Sequence, residues 1–322
     1  MRALLNTAWL LLLWAPSAQA ACDRAREWGC AWSDVAAPSG GGTTFRYAPS
    51  FERYAEGTWA LGADVHASLD SLTVTSSGPS NATERSATVH ERLETTLRAS
   101  YAATSELQLH VALPFVIAQS GWAGARSGST ASIESQAFGD VRAGLSWNRS
   151  ISDRWGVFSR IDFSAPTATS DAFFGSRGTV FVPAVGVRIQ ASNKLSGYAA
   201  MRARYDLGSR EAFDAPSAFV GFLTGVNLSP WTPSFGLHIE LAGYRSLQSV
   251  APAAQDRAGF PRLDLGADPW VPTLVSAGTS VRDAICNKCN LHASVGTAIS
   301  FGHPNPGAPL ASFALRFEKT LR

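Results

Sequence analysis

Apolar and polar residues alternate with period two through most of the chain, and the clearest stretch is Phe138 to Phe163. In its first half Val141, Ala143, Leu145 and Trp147 share one face, and Arg142, Gly144, Ser146 and Asn148 the other. A polar stretch follows from Ser150 to Asp153, and then Trp155, Val157, Ile161 and Phe163 stand opposite Gly156, Phe158, Arg160 and Asp162. Successive side chains of a strand point to opposite faces, so two such runs joined by a short polar turn predict an antiparallel hairpin. One face carries full charges, and tryptophans flank the turn. That combination predicts lipid against one face and water against the other.

The same alternation predicts strands at Trp59 to Leu69, Thr88 to Tyr101, Glu106 to Ile117, Val180 to Ala191, Leu195 to Leu207 and Ala218 to Leu228. It continues at Ser234 to Arg245, Val271 to Arg282, Leu291 to Phe301 and Leu310 to Leu321. With the hairpin, these make twelve strands whose connections alternate between short turns and long polar loops, such as Asp70 to Ala87 and Ala118 to Ala137. An even count with alternating loop length predicts an all-β fold, a transmembrane antiparallel barrel of the bacterial outer membrane, with short turns in the periplasm. Aromatic residues fall at both ends of the strands. Tyr101, Trp147, Trp155 and Trp231 sit near short turns; Phe115, Phe138, Phe163, Tyr205, Tyr244, Trp270 and Phe301 sit near long loops. Amphipathic rings favour the two interfaces of a bilayer. A soluble β-sandwich also alternates, but its outer face would be rich in Lys and Glu and would give no reason for two belts.

Composition supports this pattern. Charged residues are 16% of the 322 and the net charge is +2; mean hydropathy is +0.00. No segment after the start has the apolar run of about eighteen residues that a membrane helix needs. No block of basic residues points to nucleic acid.

The first residues read as a cleaved export signal, 1–20, with Arg2, the apolar run Ala8 to Trp14 and Ala18-Gln19-Ala20 as cleavage site. Gln19-Ala20-Ala21 lacks the leucine of a lipoprotein signal ahead of Cys22. Residues 21–56 have no clear period and are expected to be a periplasmic or lumen-entering lead segment, with the barrel over 57–322. Cys22, Cys30, Cys286 and Cys289 form two close pairs, which in an oxidising compartment read as two disulfides.

Charges are costly on the lipid face, so the alternation assigns them to a lumen. On the first two strands these are His66, His90, Arg92, Glu94 and Arg98; on the next three, His110, Asp140, Arg142, Arg160 and Asp162. Arg188, Arg202, Arg204 and Asp206 follow, then His238 and Glu240, and last Arg316 and Glu318. Arginine predominates, which suits carboxylates and phenolates. The same residues would also serve as an ion-pair network that stiffens a narrow barrel. No cofactor and no metal are expected: His66 and His90, read as facing each other with Asp64 nearby, lack fixed ligand spacing. A rim hydrolase is the rival reading, with a base oriented by His238 and Glu240 or by His66 and Asp64. Neither pair has an assignable serine, and no G-x-S-x-G occurs. The long stretch Ser246 to Pro269 is expected to fold over or into the lumen, with Phe260 as an apolar contact.

Phe138-Gly139-Asp140-Val141-Arg142-Ala143-Gly144-Leu145 resembles the GD-x-x-x-G strand of the outer-membrane family named for the meta pathway of phenol degradation. Ala103 to Leu107 and Leu113-Pro114-Phe115 are similar to that family's turn and third strand. The resemblance covers roughly Ala103 to Leu145. It implies a channel or transporter for small, often hydrophobic molecules, related in architecture to long-chain fatty-acid transporters. The implied partners are outer-membrane lipid, the barrel-assembly machinery and a small-molecule cargo.

Overall fold

The computed structural model describes residues 54–77, 83–126, 129–132, 135–167, 179–207, 218–232, 234–247, 273–283, 286, 288–299 and 311–321. The expected export signal, Cys22, Cys30, Trp270, Phe301 and the loop around Phe260 lie outside these residues.

The first three strands are long: β1 (Trp59–Ser77), β2 (Thr83–Ala102) and β3 (Leu107–Arg126). Two short pieces follow, β4 (Ser129–Ser132) and β5 (Ala137–Phe138). Next come β6 (Arg142–Ser150), β7 (Trp155–Ser164), β8 (Val180–Ser192), β9 (Leu195–Asp206) and β10 (Ala218–Leu228). The series ends with β11 (Phe235–Ser246), β12 (Thr273–Arg282), β13 (Cys289–Ile299) and β14 (Ala311–Leu321). Twelve of these pair antiparallel in a ring. From β6 to β14 each strand pairs with the next, β14 pairs with β1, β1 with β2, β2 with β3, and β3 with β6. β4 and β5 pair only with β3, outside the ring. Closure satisfies the backbone without a free edge, which is the condition for a sheet to cross lipid.

Burial is inverted relative to a soluble protein. Ile239 is 64% exposed while its neighbour Glu240 is 1% exposed. Leu97, Val111, Val185, Met201, Phe222 and Val295 are exposed like Ile239, whereas Arg98, His110, Arg160 and Arg202 are buried. The apolar parity thus faces outward and the polar parity inward. The outer ends of the strands carry rings in contact. Trp59 and Tyr101 lie 4.8 Å apart and Trp231 and Phe235 5.0 Å apart at the short-turn end. At the other end Phe163, Phe181 and Tyr205 run across β7, β8 and β9 at 5.2 and 6.3 Å.

The expected polar loops Asp70 to Ala87 and Ala118 to Ala137 are largely strand. β1 and β2 stay paired out to Ser77 and Thr83, and β3 folds back through β4. Sequence periodicity misses these extensions because small, polar and charged residues dominate there, with only Leu72, Val74 and Trp122 as large apolar side chains. At about 3.3 Å per residue, the 19 residues of β1 reach roughly 60 Å, about twice the hydrocarbon thickness. The excess therefore stands clear of lipid, where no greasy face is needed.

The turn between β12 and β13 is held by a disulfide between Cys286 and Cys289. Asp283 and Lys288 take left-handed backbone angles (φ 57° and 62°), and the Lys288 N–H donates to Asp283 Oδ1 at 2.6 Å. The CxxC spacing thus serves a turn.

Candidate functional site

The inward parity builds a connected polar lining. Asp64 on β1 is its hub: Arg98 Nη2 from β2 and Arg316 Nε from β14 both donate to Asp64 Oδ1, at 2.7 and 2.9 Å. β1 lies between those strands, and all three side chains are buried. Closer to the short-turn end Tyr54, just before β1, donates its hydroxyl to Glu318 Oε1 at 2.6 Å.

Glycines let side chains meet across an intervening strand. Gly144 on β6 lies opposite His110 on β3 and opposite Asp162 on β7. A Cβ at Gly144 would strike both His110 Nε2 and Asp162 Oδ1; without it the ring N–H donates to the carboxylate at 2.6 Å. Asp162 is also held by Arg160, through Nε at 2.7 Å and Nη2 at 2.8 Å. Gly278 on β12 is cleared in the same way for His238, whose Nε2 lies 3.0 Å from His292 Nε2 with the rings stacked at 4.5 Å. One ring of this pair must donate and the other accept, so at least one is neutral in this arrangement. Tyr198 on β9 and Glu240 on β11 are likewise both opposite Gly225 on β10. The Tyr198 hydroxyl donates to Glu240 Oε1 at 2.7 Å, and Ser276 Oγ donates to Oε2 at 3.1 Å.

Several expected partners differ. His66 lies opposite Glu94 rather than His90, and its Nδ1 contacts Glu94 Oε1 at 2.9 Å. His90 is exposed, beyond a register shift in β2 near Val89. Asp64 therefore does not orient His66, and His238 meets His292. Asp140 is buried, but it accepts the Thr167 N–H at 2.9 Å. The Gly139 N–H donates to Pro114 O at 2.8 Å. The Gly-Asp pair of the family-like motif thus fastens the break between β5 and β6 to the loop after β7. Arg92 donates to Gln119 at 3.0 Å, and Arg188 donates to Ser150 at 2.7 Å. Arg142 is half-buried and Arg204 buried; the side chain of Asp206 is outside the described residues.

Sequence reasoning puts Asp64 and His292 on the polar parity without naming them as lining, and it leaves out Tyr198 and Ser276. Strict parity would have included them, since each falls on the buried side of its strand. Among the described residues, no three His, Cys, Asp or Glu side chains are grouped to hold a metal.

Fold and inner face together define a transmembrane β-barrel of the outer-membrane type. A crystal structure of an outer membrane channel from Pseudomonas putida F1 matches it with TM-score 0.59 at 15% identity, over 85% of this chain and 99% of that one. At that identity the likeness is one of fold. The KdgM porin in complex with disordered oligogalacturonate is more distant, with TM-score 0.48 at 8% identity over 81% of this chain and 99% of that chain. So is the Pseudomonas putida toluene transporter TodX, with TM-score 0.39 at 12% identity over 85% and 89%. No family model matches the sequence, and no curated protein matches it either.

Proposed function

We propose that this protein is an outer-membrane channel for small organic molecules, apolar or anionic, which pass through its charged lumen. The observation that carries the reading is the inverted burial: a closed ring turns its apolar parity to lipid and spends its arginines on the inside. A barrel needed only as a scaffold could fill its interior with apolar side chains at lower desolvation cost. In this reading the chain is exported by its first twenty or so residues, the short turns face the periplasm, and the long β1–β2 and β3–β4 hairpins stand outside the cell. The local likeness to the phenol meta-pathway family supports small aromatic cargo. The hydrolase reading is the less supported one: Glu94 on His66 Nδ1 is an arrangement that could orient a base, but His238 Nε2 is taken up by His292 and the sequence assigns a serine to neither histidine.

The test is flux through the purified protein in liposomes, using anionic, neutral and cationic aromatic solutes of equal size. The expected result is passage, with the anion faster than the cation. No passage of any solute would overturn the reading in favour of an occluded barrel.

A further inference from the structure

Arg149 is a cation on the face that the barrel turns to lipid. It is exposed and lies at the short-turn end of β6, on the parity of Leu145 and Trp147. At that end of the ring, among the described strand residues, only Lys319 on β14 is placed likewise, and every other outward position is uncharged. No hydrogen bond or ion pair occupies the Arg149 side chain among the described residues. The arginines of the inner face differ: Arg98 and Arg316 share Asp64, and Arg160 is chelated by Asp162.

Its outward neighbours are apolar and aromatic. Val157 on β7 is its register partner. Trp147 precedes it on the same face, and Trp155, 49% exposed, follows where the chain returns. The Trp147 indole N–H donates to Glu106 Oε2 at 3.2 Å. The turn itself is exposed and adds Arg154 against Asp153, while Lys194 stands exposed in the next short turn. Behind the hairpin Arg188 Nη2 donates to Ser150 Oγ at 2.7 Å. Cations therefore outnumber acids around this hairpin end.

A charge on the lipid face is costly at mid-bilayer and tolerated near an interface. A long cationic side chain lays its stem along apolar surface and keeps its head in the polar layer, where indole rings also settle. The guanidinium fork matches two phosphate oxygens through parallel bonds. A free phosphate would gain nothing from Trp147, Trp155 and Val157, whereas a lipid brings its acyl chains to them. From this placement we infer that the β6–β7 hairpin end binds the headgroup of an anionic glycerophospholipid. The phosphate sits on Arg149, Arg154 adds its charge from the turn, and the acyl chains run along Trp147, Trp155 and Val157. A zwitterionic lipid carries its own cation beside the phosphate and gains less here. The contact needs only the inverted burial; its assignment to the periplasmic leaflet rests on the orientation proposed above.

The test is native mass spectrometry of the full-length protein in mild detergent, titrated with phosphatidylglycerol or with phosphatidylcholine of the same acyl chains. Inorganic phosphate is added as a competitor, and heat-modifiability on gels checks that each variant is folded. Wild type should take up its first phosphatidylglycerol about fivefold tighter than phosphatidylcholine, the effect of one cation at an anionic headgroup, and inorganic phosphate should not compete. Arg149→Gln should abolish the preference, Arg149→Lys should keep part of it, and Lys319→Gln should leave it in place. Equal affinity of wild type for the two lipids would overturn the site and leave Arg149 merely hydrated, even if Arg149→Gln failed to fold. A preference that survives in folded Arg149→Gln would overturn it as well. So would one that falls as far in Lys319→Gln, which would mean diffuse attraction. Displacement of the lipid by inorganic phosphate would reveal an anion site with no lipid partner and would equally defeat the inference.

Discussion

Asp64 and Gly144 each join strands across the inner face. Asp64 holds two guanidiniums that come from strands on either side of it. Breaking a buried ion pair from one side costs about 3–5 kcal/mol, and here two guanidiniums would lose their shared acceptor at once. Asp64→Ala should therefore lower the unfolding free energy by at least about 3 kcal/mol, read from urea titration in lipid vesicles. A loss under about 1 kcal/mol would mean that water already compensates Arg98 and Arg316. Gly144 acts through what it lacks. A methyl there meets His110 Nε2, Asp162 Oδ1 and Ile161 O, so Gly144→Ala should cost about 1–3 kcal/mol by overpacking. Gly243 has nothing within 4 Å of the equivalent point, and Gly243→Ala should leave the same titration unchanged.

At the level of strands, alternation was sufficient to read most of the fold. Apart from the far ends of β1, β2 and β3, the twelve runs of outward Leu, Val, Ile and Phe match the twelve strands of the ring within a few residues, because lipid demands an apolar side chain at every second position. Where lipid is absent the demand lapses. The ends of β1, β2 and β3 are therefore written mostly in small, polar and charged residues and look like loop. This difference is testable from both sides. Ile239 is mid-strand and outward, so Ile239→Arg should cost about 2–4 kcal/mol in bilayers and much less in detergent. Replacing residues 71–86 by a short Gly-Asn turn should leave the barrel assembled and heat-modifiable on gels. Loss of assembly would mean that the hairpin extension supports the ring.

Across the whole molecule, what the sequence left unread was which residues meet. Parity says that His66 points inward, but only the register shows it opposite Glu94 rather than His90. Asp64 receives its arginines from 34 and 252 residues away, and no local pattern encodes that. The contacts across Gly144, Gly225 and Gly278 are also hidden, since a glycine in a strand normally signals only weak propensity. The central claim is that the buried parity lines a passage open to water while the exposed parity lies in lipid. Single cysteines on a background with all four native cysteines replaced by serine test it directly, probed in liposomes with a membrane-impermeant thiosulfonate. Cysteine at His66, Ser196 or Asn227, which are inward and part-exposed, should be labelled and labelling should slow solute flux, whereas cysteine at Val226, Ile239 or Val295 should react only with a lipid-soluble reagent. Labelling that ignores this alternation, or inner positions that no aqueous reagent reaches, would contradict it.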